Sequence, residues 1–257
     1  MSNSNISAKK IKFVQSLHQK KYRQEHQAFL VEGTKNVLEL LNADFEIMDL
    51  FLTESFAEKN EQALWKCKAE WRFCNEDIIT RLGTLQTNDS ALAVVQAKPN
   101  TLLLPDAHEW VLALDQVRDP GNLGTILRIA DWYGIRKVIC SEQTAEIYNP
   151  KVIAATMGSF TRVQTYYCDL AAYLKEYRSE NQKVLGAFLG GEDVHTVAFS
   201  AAGGFLVMGN ESHGISPEVG AQVQQAISIP QYGGAESLNV AIATAVICDN
   251  IRRTVGA

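Results

Sequence analysis

Short apolar runs alternate along this chain with stretches in which apolar residues recur every three or four positions. This is the pattern of strands alternating with amphipathic helices. Residues 28–31 form a short apolar strand that Gly33 breaks. Val37, Leu38, Leu40 and Leu41 then fall at helical spacing. Residues 45–52 read as a strand, and Thr53 caps a helix running to about Lys68. Residues 71–74 are a strand, Asn75 caps a helix through Arg81, and 91–97 are a near-continuous apolar strand. The turn-formers Pro99, Asn100, Pro105 and Asp106 mark a linker, which puts a domain boundary near residue 105. Beyond it, strands are predicted at 111–114, 137–140, 163–167, 184–188, 205–208 and 227–229. Helices are predicted at 121–133, from Pro150, and from Ser237 to about Arg252. The fold class is α/β in two domains, 1–105 and 106–257, the second with a mostly parallel sheet covered on both faces.

Composition adds little to this picture and removes much. The 257 residues are 46% hydrophobic and 21% charged, which excludes disordered, collagen-like and disulfide-scaffold chains. The longest apolar run, 240–248, is far short of a bilayer span, and residues 1–10 lack an apolar leader. Five cysteines (Cys67, Cys74, Cys140, Cys168, Cys248) with no C-x-x-C pair read as reduced packing residues of a cytoplasmic protein. The net charge of −5 hides an asymmetry: residues 1–35 carry seven Lys/Arg and two Glu, or +5, leaving −10 for the remainder. A basic arm on an acidic body suits a polyanion partner; the alternative is a solvated helix face at a chain end.

No G-x-G-x-x-G, P-loop, H-E-x-x-H or G-x-S-x-G motif occurs, and the five histidines show no metal spacing. The candidate chemistry lies in three glycine-bearing polar turns behind strands, where open α/β sheets bind ligands. The first is D-P-G-N-L-G-T-I-L-R at 119–128, with Arg128 on the helix face of Gly121 and Gly124. The second is G-N-E-S-H-G at 209–214, and the third is I-P-Q-Y-G-G-A-E-S-L-N at 229–239. Singly, each admits a bland reading: Asp119 or Asn122 as a helix cap, Arg128 as a surface ion-pair partner, Ser237 as the N-cap of the last helix.

Together the three turns resemble the signature motifs of the SpoU family of RNA ribose methyltransferases, within the SPOUT superfamily. Asn122, Gly124, Ile126 and Arg128 match the first; Gly209, Glu211 and Gly214 the second; Ile229, Pro230, Ser237, Leu238 and Asn239 the third. The intervening Asn149-Pro150-Lys151-Val152 and Met157-Gly158-Ser159 also fit. The amino-terminal half, with Phe29-Leu30-Val31-Glu32-Gly33, resembles the small α/β/α substrate-binding domain that precedes many such enzymes.

The resemblance implies methyl transfer from S-adenosyl-L-methionine to a ribose 2′-hydroxyl of RNA, with ribosomal RNA as substrate. The alternatives are transfer RNA, or an RNA-binding relative without catalysis. It also implies a carboxyl-terminal trefoil knot and a homodimer built around it; the motifs and apolar runs themselves give no metal site and no membrane partner. Met208, Gly209, Ile229, Leu238 and Asn239 would hold the cofactor. Arg128 would carry the chemistry, either as a base or by holding a phosphate and stabilising charge on the 2′-oxygen. Asn122 and Glu211 would orient Arg128 or the ribose. Ser237 and Asn239 would contact phosphate or ribose at a helix N-terminus. The basic stretch around Tyr22 (Lys20, Lys21, Arg23) would add phosphate contacts, making RNA binding steeply salt-sensitive.

Overall fold

The computed structural model describes residues 6–65 and 67–256. In chain order the elements are α1 (Ala8–Ser16), α2 (Lys20–His26), β1 (Ala28–Glu32), α3 (Thr34–Leu41), β2 (Ile47–Leu52), α4 (Glu54–Lys59), α5 (Glu61–Leu64), β3 (Trp71–Phe73), α6 (Glu76–Leu82) and β4 (Ala91–Gln96). There follow β5 (Trp110–Leu114), α7 (Pro120–Trp132), β6 (Lys137–Ser141), α8 (Pro150–Thr156), β7 (Gln164–Cys168) and α9 (Leu170–Tyr177). The last are β8 (Lys183–Asp193), β9 (Gly204–Met208), α10 (Pro217–Gly220), β10 (Gln225–Ser228) and α11 (Val240–Val255). The chain forms two compact units: residues 1–99 with 146–161, and residues 100–145 with 162–257.

The first unit is a four-stranded sheet, order β1-β4-β2-β3, with β4 antiparallel to both neighbours and β3 parallel to β2. On one face Val14 and Leu17 of the α1 region and Ile79 and Leu82 of α6 pack on Leu30, Phe51, Leu92 and Val94. Elsewhere in this unit Phe29 stacks on Tyr148, with ring centroids 4.2 Å apart, and meets Phe160 edge-on. Residues 146–161, including α8, thus pack with this unit, although their place in the sequence follows β6. The buried Glu32 carboxylate accepts from the Thr84 amide and hydroxyl, so its charge is solvated by protein donors.

The basic arm is two helices, and its charges divide. Arg23 is buried, donates from Nε and Nη2 to Glu146 (3.2 and 2.6 Å) and from Nη1 to the Leu17 and His18 carbonyls. It is a structural clamp, which removes it from the expected RNA contacts. Lys10 pairs with Asp49 at 2.7 Å and Lys35 with Glu39. Lys9, Lys12, Lys20 and Lys21 are exposed with no carboxylate partner among the described residues.

Two further expectations are corrected in this unit. The helix expected from Thr53 to Lys68 breaks at Asn60, whose side chain donates back to the Phe56 carbonyl; α4 and α5 are the two pieces. Helices α1 and α2 were not predicted as elements: α2 has almost no apolar residues, and α1 is only nine residues long, with lysines among its apolar Ile11, Phe13 and Val14.

The second unit is a six-stranded, all-parallel sheet, order β10-β8-β9-β5-β6-β7. The central strands β5 and β9 are buried along their whole length, as parallel strands covered on both faces must be. Because every strand runs the same way, the segments after β5, β9 and β10 leave from one edge of the sheet. Strand β8 is longer than expected. Ala226 pairs with Gly186 and Ile227 with Glu192, so residues 187–191 leave the ladder, and Leu189 is exposed. Among the described residues, no helix is long and apolar enough to cross a membrane.

Candidate functional site

The turn after β5 is built by local capping. The Asp119 carboxylate accepts from the Asn122 amide at 2.8 Å, and Pro120 occupies the first turn, where a missing N–H costs nothing. Helix α7 therefore starts sharply, with Asn122 in its first turn. Arg128 lies two turns further on, exposed and without any partner among the described residues.

The turn after β9 is held from below. The buried Asp115 carboxylate accepts from the Ser216 amide at 2.6 Å. Asn210 Nδ2 donates to the Gln116 carbonyl at 2.8 Å, while its Oδ1 accepts from the amides of Ser212 and His213. The bond to the Asp115 carboxylate contributes about 1.5–3 kcal/mol and each neutral Asn210 bond about 0.5–1.5 kcal/mol. Gly209 packs backbone against backbone: a Cβ there would lie 2.3 Å from the Gly214 carbonyl carbon. Only glycine fits, and Glu211 is thereby presented on an exposed turn bridged between Asn210 and Gly214.

The third segment leaves β10 at Ile229 and is exposed from Gln231 to Asn239, braced by Gln231 Nε2 on the Gly233 and Ala235 carbonyls. Helix α11 begins at Val240, three residues later than expected. Its N-cap is Asn239, not Ser237: Asn239 Oδ1 accepts from the amides of Ala241 (2.9 Å) and Ile242 (3.3 Å). Ser237 makes no hydrogen bond among the described residues and remains available to a ligand.

These three segments meet through one chain of side-chain hydrogen bonds. Asn239 Nδ2 donates to Asn122 Oδ1 at 2.9 Å, and Asn122 Nδ2 donates to Glu211 Oε1 at 2.7 Å. The sense of the chain is set by α11. Its N-terminal amides claim Asn239 Oδ1, so only Nδ2 is left to donate, and Asn122 must present its oxygen to Asn239 and its NH2 to Glu211. Asn122 and Glu211 are therefore committed to each other, and neither touches Arg128.

Of the residues read as cofactor contacts, Met208 is buried and its carbonyl accepts from the Asp115 amide at 2.9 Å. Gly209 follows it, Ile229 is half-buried, and Leu238 is 50% exposed beside Asn239. Exposed backbone donors and acceptors next to apolar Ile229 and Leu238 suit a neutral heterocycle held edge-on, with no need for a charged cage. Among the described residues, no group of three or more His, Cys, Asp or Glu side chains could hold a metal ion.

Thiol chemistry has no support here. Burial pushes Cys74 up to about 11 and Cys248 up to about 12, and raises Cys140 further still. The sequence analysis missed Asp115, Gln116 and Asn210. The available signal was their position: polar residues directly after the apolar runs of β5 and β9, where a strand hands over to a ligand-binding loop.

Comparison with known proteins agrees with this geometry. Residues 109–249 match the SpoU rRNA methylase family, and residues 8–93 match the MRM3-like substrate binding domain. The chain is 28% identical over 243 residues to the 23S rRNA (guanosine(2553)-2′-O)-methyltransferase RlmP of Bacillus subtilis, covering 95% of this chain and 96% of that one. Among solved structures, a TrmH-family protein from Porphyromonas gingivalis is 37% identical with a TM-score of 0.85, covering 97% and 99% of the two chains. The AdoMet-bound rRNA methyltransferase from Sinorhizobium meliloti is 28% identical with a TM-score of 0.87, covering 98% and 97%. With its three signature turns joined side chain to side chain and more than half its length matched, the chain belongs to the SpoU rRNA methylase family.

Proposed function

We propose that the protein transfers a methyl group from S-adenosyl-L-methionine to a ribose 2′-hydroxyl of ribosomal RNA. The observation that carries this reading is the hydrogen-bonded chain Glu211–Asn122–Asn239, which joins all three signature turns, with Arg128 on the same helix as Asn122 and without a partner among the described residues. The bound cofactor supplies an electrophilic methyl group on a sulfonium. Met208, Gly209, Ile229, Leu238 and Asn239 form its seat, through backbone groups and apolar walls.

Arg128 is the catalytic residue. Guanidinium keeps its proton, so it serves better as a donor than as a base. It holds an RNA phosphate next to the target ribose and stabilises negative charge growing on the 2′-oxygen. Glu211, fixed by Asn122, has one carboxylate oxygen left to accept from the ribose. Ser237 contributes a hydroxyl at the same segment.

Helices α7 and α11 pack together, and Trp132 (83% exposed), Ile242 (54%) and Leu238 are apolar side chains without a cover. They support a homodimer formed through this carboxyl-terminal unit. The exposed lysines Lys9, Lys12, Lys20 and Lys21, with Tyr22 stacked on His26, supply RNA backbone contacts on the first unit. The protein works in the cytoplasm.

Tritium-labelled S-adenosylmethionine, total unmodified RNA and size separation test this reading. Label in 23S rRNA with wild type, lost in Arg128→Ala while cofactor binding survives, is the expected result. Near-normal turnover in the variant would remove Arg128 from the chemistry. Label confined to tRNA would move the substrate assignment.

A further inference from the structure

The segment between β5 and α7 carries a second arginine that the reading above does not use. Arg118 is exposed, and its Nη2 donates to Gln116 Oε1 at 2.7 Å. No carboxylate pairs with it among the described residues. Three other arginines are neutralised by carboxylates: Arg23 holds Glu146, Arg72 holds Asp49, and Arg162 holds Asp131. Arg118 is instead oriented by a neutral amide, which fixes the guanidinium and leaves its charge and its remaining N–H donors free.

The holder is itself unusual. Gln116 sits in the left-handed backbone region at φ +56°, where a residue with a Cβ is uncommon. Three bonds keep it there. Its amide donates to Ser141 Oγ at 2.8 Å, its carbonyl accepts from Asn210 Nδ2 at 2.8 Å, and its side chain takes Arg118. The Asn210 bond is the one that steadies the turn bearing Glu211, and Arg118 immediately precedes Asp119, the cap of the helix bearing Asn122. The hardware that sets the catalytic turns therefore also aims this guanidinium.

We propose that Arg118 is a phosphate-binding residue of the substrate site, with Gln116 as its positioning residue. It receives a backbone phosphate of the RNA near the target ribose, a role that rests on the RNA methyltransferase reading. The planar fork of N–H donors matches two non-bridging phosphate oxygens, which a lysine could not reproduce. The other anion within this chemistry is the carboxylate of the cofactor, and the test separates the two.

The test measures the affinity of the full-length protein for in vitro transcribed 23S rRNA across a salt series, and cofactor affinity by calorimetry, for Arg118→Ala, Arg118→Lys and Gln116→Glu. Arg118→Ala is expected to lose about tenfold in RNA affinity. Its plot of log affinity against log salt should flatten by about 0.7–0.9, the contribution of one phosphate contact. Gln116→Glu keeps the acceptor but neutralises the guanidinium, and should flatten the slope alike. Arg118→Lys should keep the slope and lose part of the affinity. Cofactor affinity should be unchanged in all three, which also reports that they are folded.

An unchanged RNA slope in Arg118→Ala overturns the proposal. So does a loss of cofactor affinity with RNA binding intact, which would assign Arg118 to the carboxylate. Wild type that binds RNA with an Arg118-dependent slope but transfers no methyl group would overturn the activity and leave the phosphate site standing. Wild type that does neither overturns both.

Discussion

Asn122 has both halves of its amide engaged, and that makes its chemistry testable one atom at a time. Its NH2 donates to Glu211 and its oxygen accepts from Asn239. Asn122→Asp keeps the shape and the acceptor but faces Glu211 with a second carboxylate. The lost bond to a charged group is worth about 1.5–3 kcal/mol, and like charges at that distance add to it. Turnover should fall by about ten- to a hundred-fold, since each factor of ten is about 1.4 kcal/mol. Single-turnover methylation with saturating cofactor measures this. An Asn122→Asp enzyme as fast as wild type would mean that Glu211 is a surface residue of the turn and no part of the site.

Helix α11 depends on one residue for its start and lends that residue to the site. Asn239 caps two backbone amides with its oxygen and reaches Asn122 with its nitrogen. Removing a cap of this type costs about 1 kcal/mol, which in a chain of this size lowers Tm by about 2–4 °C. Asn239→Ala should show that drop together with reduced turnover. Asn239→Asp restores the cap but cannot donate to Asn122, so it should recover Tm and not activity. Ser237→Ala should leave Tm where it was, because Ser237 caps nothing. Calorimetry and the methyl-transfer assay on the three variants separate the structural part of Asn239 from its part in the site.

At the scale of the whole molecule, buried thiols contribute to the loss of stability at alkaline pH. Cys140 and Cys248 are buried, and their folded-state values lie well above the ordinary 9.0, Cys248 at about 12, because burial disfavours the thiolate. In the unfolded chain they lose their protons near the ordinary value. The folded state then holds more protons than the unfolded one, so stability is full below about pH 8.5 and falls as pH rises beyond it. Each thiol can remove up to about 1.4 kcal/mol per pH unit there. Tm should therefore drop between pH 8 and pH 10, and replacing Cys140 and Cys248 together by Ala should shallow the drop. A double variant with the slope of wild type would place the alkaline loss elsewhere.

Much of this protein was legible from its sequence, because the relevant physics is local. Periodicity placed the strands of both sheets to within a few residues, except for the far end of β8. Asp119, one of two caps the sequence offered, caps α7, and Thr53 and Asn75 cap the helices they were expected to cap. The three polar turns could be recognised from residue types and spacing alone.

Other features depended on partners far along the chain. A charge count cannot tell Arg23, buried against Glu146 123 positions away, from Lys20 and Lys21, which face solvent. No spacing rule links Asn122 to Asn239, 117 positions apart, or picks Asn239 over Ser237 as the cap. Nor does the sequence show that Gln116 adopts a left-handed backbone and so orients Arg118. Hydrogen-bond direction, burial and backbone strain are set by what the folded chain brings alongside. For that reason the sequence carried the family and the motifs, and only the tertiary structure decided which atoms act together.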